Sequence, residues 1–221
     1  MDACRTKQLF DLSHTLAAPL FEGKAWPWQV LDELKDFILQ LGSTLPAEES
    51  DQPQPGVWVA KTALVAPSAF IAGPCIIGPK AEVRHCAFIR GSALVGEGAV
   101  VGNSVELKNC ILFDGAQVPH FNYIGDSILG YKAHLGAGAV TSNLKSDKSL
   151  VCIKGPEGEL ATGRKKLGAL VGDEAEVGCN SVLCPGTVLG RKSQVYPTSC
   201  VRGLVEAGHI FKTTGVVVKR V

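Results

Sequence analysis

Arg90 and Lys108 stand eighteen residues apart, and His120 and Tyr123 follow Lys108 within the next fifteen residues. Two cations held close together can grip a phosphate or another anion. A histidine near neutrality can take a proton from an amine nucleophile, which is general-base work. Glu106 supplies the kind of carboxylate that orients an imidazole and raises its basicity. Whether these groups meet depends on a fold that brings positions eighteen apart into contact.

The chain carries such a repeat. From Val65 it reads VAPSAF, IAGPCI, IGPKAE, VRHCAF, IRGSAL, VGEGAV, VGNSVE and LKNCIL. Position one is Val65, Ile71, Ile77, Val83, Ile89, Val95, Val101 and Leu107, aliphatic each time. Position five is mostly small: Ala69, Cys75, Ala81, Ala87, Ala93, Ala99, Val105, Ile111. A second tract led by Val171, Val177, Leu183, Leu189, Val195 and Val201 repeats the pattern. Helices need a period near 3.6 and ordinary strands a period of 2, so a period of six is neither. It is the hexapeptide pattern of a parallel β-helix, in which three hexads make one triangular coil. Each coil buries its interior only by stacking on its neighbours. Between the tracts the frame runs through Leu112, Val118, Ile124, Leu129, Leu135 and Thr141, with five-residue steps at Leu107 to Leu112 and Ile124 to Leu129 that read as tightened corners.

This geometry turns spacing into contact. Residues in the same slot three hexads apart stack about 4.8 Å apart. Arg90 and Lys108 share slot two and stack. They repel unless an anion lies between or beside them, or both splay into water. Glu106 stacks under Tyr123, and His85, Asn103 and His120 form a column in slot three. A zinc site is not expected: there is no close His pair, and His85 and His120 lie two coils, roughly 10 Å, apart. No phosphate-binding GxxxxGKS/T loop and no Ser/His/Asp arrangement is present.

The remaining segments surround this prism. Residues 28–42 place Leu31, Leu34, Phe37, Ile38 and Leu41 on one helical face, with Gly42 as a stop. Ser43 to Gly56 reads as a polar linker. The expected organisation is an N-terminal helical segment and linker over 1–60, the β-helix over 61–205 with a hairpin excursion at 144–168, and a β tail over 206–221. The 221 residues are 46% hydrophobic with a net charge of +1, which points neither to nucleic acid nor to an anionic membrane. Apolar runs fall far short of about 18 residues, so no bilayer-spanning helix is expected. The start, MDACRTKQLFDLSH, lacks an apolar signal core, so a cytoplasmic location is expected. The eight cysteines include no CxxC pair and read as thiols.

Residues 101–145, VGNSVELKNCILFDGAQVPHFNYIGDSILGYKAHLGAGAVTSNLK, with TGRKKLGALVGD at 162–173, resemble the acetyltransferase domain of bifunctional sugar-1-phosphate enzymes. The archaeal-type nucleotidyltransferase/acetyltransferases look closest. The whole chain looks like a stand-alone protein related to UDP-N-acetylglucosamine pyrophosphorylase. The resemblance implies an all-β fold, a left-handed parallel β-helix, carrying here a small N-terminal helical segment. It implies acetyl-CoA as co-substrate, an amino-sugar phosphate such as glucosamine-1-phosphate as acceptor, and a homotrimer with clefts between subunits. By the resemblance, His120 in VPHFNY is the catalytic base. Arg90 in FIRGS and Lys108 in VELKN hold the sugar phosphate, with Tyr123 and Lys166 as further ligands. Ala137, Asn143 and Cys179 fall where the family contacts acetyl-CoA, Cys179 replacing a usual Ser.

His134 stands where the family has an Asn that touches the sugar amine region, which puts sugar specificity in question. The resemblance does not extend to a nucleotidyltransferase domain with its Mg²⁺ site, so synthesis of UDP-sugars is not expected of this chain. The leading expectation is N-acetylation of an amino-sugar phosphate. The alternatives are acyl transfer to a different acceptor and a non-catalytic sugar-nucleotide-binding or assembly subunit.

Overall fold

The computed structural model describes residues 1–220. The hexads form the expected parallel β-helix. Ile89 pairs with Leu107, and Leu107 with Ile124, in parallel ladders that run rung to rung. Their side chains point inward and are fully buried, with Val83, Val95, Val101, Val118 and Leu135, in one continuous core. The fourth residue of most hexads takes a left-handed backbone, as at Lys80, Cys86, Ser92, Ser104, Phe121 and Lys132, with glycine at 98, 115 and 138. A side chain there costs about 1–2 kcal/mol. The corners hold because amides bond to the coil beside them, as Gly98 N to Pro79 O (2.8 Å), Ser104 N to His85 O (3.1 Å) and Gly115 N to Glu97 O (2.8 Å).

The five-residue steps are tightened corners in which the left-handed residue moves up one place, to Asn109 and Asp126. The strands Glu106–Leu112 and Tyr123–Leu129 run straight through them. The shortened hexad also changes which side chain faces inward. Cys110, not Ile111, joins the interior, while Ile111 points outward. Removing one residue from a strand of period two exchanges inner and outer positions.

The prism has three faces. The first contains Val57–Ala60, Cys75–Ile77, Ala93–Val95, the second halves of the two long strands, Ala169–Val171 and Thr187–Leu189. The second runs from Leu64–Val65 through Val100–Asn103, Gln117–His120, His134–Leu135 and Glu176–Val177 to His209–Phe211. The third carries Phe70–Ile71, Phe88–Ile89, the first halves of the long strands, Val140–Thr141, Val182–Leu183 and Cys200–Val201.

The first face has an apolar outside. Ile76, Leu94, Ile111, Ile128, Leu170 and Val188 form an outward column and are buried by Leu9, Phe10, Phe21, Trp28, Leu31, Leu34 and Ile38. The N-terminal segment is therefore a clamp along the prism. Its helicity is split: a 3-10 turn at Pro27–Asp32 precedes the α-helix Leu34–Gly42. Leu31, Leu34 and Ile38 are buried, whereas Phe37 and Leu41 are half-buried. Gly42 does more than stop the helix, because a Cβ there would overlap the Trp58 indole. The polar stretch after it contains a strand, Ser50–Gln54, antiparallel to Val57–Ala60.

One carboxylate pins the clamp. Asp173 accepts from the amides of Asp11 (2.7 Å) and Tyr131 (2.9 Å), and its own amide donates to Leu9 O (3.0 Å). The excursion folds as a hairpin, Cys152–Gly155 with Gly158–Ala161, and the tail as another, His209–Phe211 with Val217–Lys219. Among the described residues no helix is long and apolar enough to cross a membrane.

The clamp makes a stability prediction. Ile111→Ala leaves a cavity between clamp and prism and lowers unfolding free energy by about 2–5 kcal/mol. Val216→Ala, 52% exposed in the tail hairpin, changes it by less than about 0.5 kcal/mol. Urea denaturation midpoints of the two variants check this.

Candidate active site

The third face is not covered by the clamp, and its outward slots hold the chemistry. Reading along it, the outward pairs are Phe88 and Arg90, Glu106 and Lys108, Tyr123 and Gly125, then Val140 and Ser142. The ladder sets Lys108 one rung from Arg90, whose amide donates to Leu107 O (2.9 Å). Glu106 stands in register with Tyr123. The His85, Asn103 and His120 column also forms: Asn103 pairs with His120, and its side-chain amide donates to His85 O (3.1 Å).

The two stacked cations are compensated within the chain. Arg90 Nη1 donates to Glu106 Oε1 at 2.6 Å. Lys108 Nζ donates to both carboxylate oxygens of Asp126, at 3.1 and 3.0 Å. The two pairs differ in setting. The Arg90–Glu106 pair is wet, with side chains 47% and 33% exposed, whereas Asp126 is 3% exposed. Glu106 was expected near the imidazole of His120, but it is engaged by the guanidinium one rung away. A guanidinium in reach offers a charge-assisted hydrogen bond that a neutral imidazole cannot match.

Asp126 gathers more than Lys108. Asn109 Nδ2 donates to Oδ1 (2.8 Å), and Asn143 Nδ2 donates to Oδ2 (2.5 Å). The same Asn143 amide lies 3.2 Å from the Tyr123 hydroxyl. Tyr123 lies over Gly125, where a Cβ would run into its hydroxyl. The bare rung is what lets the phenol reach Asn143. Burial pushes the Tyr123 phenol above its ordinary range, helped by the charges of Asp126 and Glu106 and opposed by Asn143 and Arg90. It is a neutral hydrogen-bond donor at neutral pH. Asp126 and Asn109 were missed in the sequence. Their signal was there: each is the third residue of a five-residue hexad, and Asp and Asn are the side chains that tolerate a left-handed corner.

His120 sits at the corner between the second and third faces, three residues before Tyr123 in the same coil. It is exposed, and its main chain is anchored by Asn122 Oδ1 (3.1 Å) and Gly138 N (3.0 Å). Its imidazole has no hydrogen-bond partner among the described residues. Ala137 and then Cys179 continue the same corner column, as Asn180 N donating to Ala137 O shows (2.8 Å). Cys179 is exposed and Ala137 half-buried.

Two expected site residues stand apart. His134 lies on the second face, with Nδ1 2.7 Å from Glu176 Oε2 on the next rung. Lys166 is exposed where the chain returns from the hairpin, bridged to Leu144 beside Asn143. The structure thus brings Lys108, Tyr123 and Asn143 together around Asp126, with Arg90 and Glu106 alongside. It lines His120, Ala137 and Cys179 along the neighbouring corner.

The chain is similar to several known proteins. A family model described as the GMPPB C-terminal domain matches residues 55–162. The chain is similar to a bifunctional sugar-1-phosphate nucleotidylyltransferase/acetyltransferase of Sulfurisphaera tokodaii, 34% identical over 109 residues, which is 49% of this chain and 27% of that protein. A bifunctional protein GlmU of Methanococcus maripaludis is 28% identical over 197 residues, 88% of this chain and 48% of the relative. Among solved structures, the acetyltransferase domain of PglB from Neisseria gonorrhoeae is 16% identical, with a TM-score of 0.38, covering 84% of this chain and 63% of that one. The chain spans about half or less of the length of these curated relatives.

The charges around Tyr123 give a measurable consequence. In a spectrophotometric titration, Tyr123→Phe removes an absorbance step that lies above the ordinary phenol range near 10.

Proposed function

We propose that the chain is an acetyl-CoA-dependent N-acetyltransferase acting on an amino-sugar phosphate or sugar nucleotide, with His120 as general base. The observation that carries this reading is the placement of His120 at a corner directly adjoining the uncovered face that bears Arg90, Lys108 and Tyr123. Base and anion ligands then address one solvent-open surface. The similarity to sugar-1-phosphate acetyltransferases supports the same chemistry.

In this mechanism the acceptor phosphate draws Arg90 away from Glu106, an exchange that a solvent-exposed pair permits at small cost. Lys108 and the neutral Tyr123 hydroxyl donate to the phosphate or sugar oxygens, and Lys166 approaches from the hairpin side. The free imidazole nitrogen of His120 takes a proton from the acceptor amine as its nitrogen attacks the thioester carbonyl. The C–N bond forms, and the C–S bond breaks as the tetrahedral intermediate collapses. The proton passes from His120 to the leaving thiolate. Main-chain N–H groups at a coil corner hold the oxyanion. Ala137, Asn143 and Cys179 line the path of acetyl-CoA.

A homotrimer fits the exposed apolar side chains on and beside the third face. Phe70, Phe88, Phe121 and Val182 are 62%, 41%, 62% and 36% exposed, and threefold packing covers them and encloses the cleft. In a trimer the His134–Glu176 pair on the second face of one subunit meets the site of another, which would let it bear on sugar specificity.

A second reading is a binding subunit without turnover. It is favoured by the full compensation of both cations and by the lack of a carboxylate on His120.

Thiol release from acetyl-CoA across amino-sugar phosphates decides between the two. The lead reading expects release with glucosamine-1-phosphate and not with unphosphorylated glucosamine, and a fall in kcat of about 10²–10⁴-fold in His120→Ala. Ligand binding without release establishes the binding subunit instead. Sedimentation at micromolar concentration is expected to give a trimer, and a monomer removes the shared cleft.

A further inference from the structure

The proposed reaction leaves Asp126 without a role, although it touches residues from both halves of the site. It receives Lys108 from the phosphate side on both carboxylate oxygens and Asn143 from the acetyl-CoA side on Oδ2, and the carboxylate is 3% exposed. Asn109 fills a further lone pair from the rung before. Its backbone is fixed as well, since φ is 48° and its carbonyl accepts from Gly168 N at 2.9 Å. It cannot swing away as Glu106 can.

We infer that Asp126 is a positioning residue that couples the two half-sites, so that an anionic acceptor on Lys108 and coenzyme A beside Asn143 bind cooperatively. The inference rests on the acetyltransferase reading for the identity of the two ligands. The coupling is electrostatic. In the free protein the ammonium of Lys108 neutralises much of the carboxylate charge. When a phosphate draws Lys108 toward itself, Asp126 keeps its charge in a nearly water-free place. The remaining donors must then satisfy it, and a charged acceptor with fewer partners binds each of them more strongly. Asn143 is therefore held more firmly against Asp126 and beneath the Tyr123 hydroxyl. A group already immobilised costs less to order when the second ligand arrives. By linkage the effect is reciprocal, so coenzyme A tightens the phosphate ligand by the same factor.

The geometry explains why the residue is an aspartate rather than an asparagine. Asparagine tolerates the left-handed corner equally well and is nearly isosteric, yet carries one acceptor oxygen and no charge. Asp126→Asn therefore removes the coupling while sparing the backbone.

The test is calorimetric. The Kd of coenzyme A is measured on the full chain with and without saturating glucosamine-1-phosphate. Wild type is expected to show tightening of about 5-fold or more, the usual lower range for coupled sites. In Asp126→Asn the ratio is expected to fall to about one, while each ligand still binds alone. A ligand-free readout accompanies it: removal of the Asp126 charge moves the Tyr123 titration downward, toward the ordinary phenol range, in Asp126→Asn, and a merely structural role does not require that shift. Synergy that persists in Asp126→Asn overturns the inference and leaves the acetyltransferase reading intact. So does turnover in a wild type that shows no synergy. Failure of the wild type to bind either ligand overturns both.

Discussion

The register of the parallel ladders is the constraint on which the rest of this structure depends. Each strand donates and accepts along its whole length to the coil before and the coil after, so a residue cannot slide without breaking every bond on its rung. Side chains 17 or 18 positions apart are thereby fixed as neighbours, as Leu107 with Ile89 and Ile124 shows. This holds Arg90 and Lys108 within reach of carboxylates on adjacent rungs, Glu106 and Asp126. It also explains why small changes in hexad length have local chemical consequences. The five-residue steps place Asn109 and Asp126 themselves at the corner, one rung apart, where their side chains meet.

Charge in the site follows from burial. A carboxylate as withdrawn from water as Asp126 is costly unless its lone pairs are filled. Three side-chain donors fill them, Lys108 and Asn109 from the coil before and Asn143 from the coil after. The Arg90–Glu106 pair is solvated and held only loosely, in keeping with the modest strength of exposed ion pairs. The face thus presents one cation held against a buried carboxylate and one held in a solvated pair. In the proposed reaction they have different duties: Lys108 is aimed, and Arg90 is exchanged.

The N-terminal clamp serves the same arrangement from the other side. A triangular prism built from aliphatic hexads has three outer surfaces, and here one of them is apolar from Ile76 to Val188. Covering that surface with Phe10, Phe21, Trp28 and Ile38 closes it to solvent and to partners. The third face is left uncovered by the clamp, with His120 at its edge. Phe113, packed 5.2 Å from Phe10 and 6.1 Å from Phe21, shows how closely clamp and prism are joined. The Asp173 carboxylate fixes their relative position through main-chain amides of both.

The sequence by itself determined the β-helix, its coil register, and the stacking of Arg90 on Lys108, Glu106 on Tyr123 and His120 on Asn103. Those follow from a period of six, because period is a property of the chain and translates directly into which residues share a column. The tertiary structure decided which partner each stacked side chain takes. Glu106 turned to Arg90 rather than to His120, Lys108 to Asp126, and His134 to Glu176. Those choices depend on side-chain reach, burial and the competition among nearby charges, none of which a column position specifies. The clamp was hidden for the same kind of reason. Leu94, Ile111 and Ile128 look like ordinary apolar residues in a repeat, and only the three-dimensional winding shows that they point outward together and must be covered.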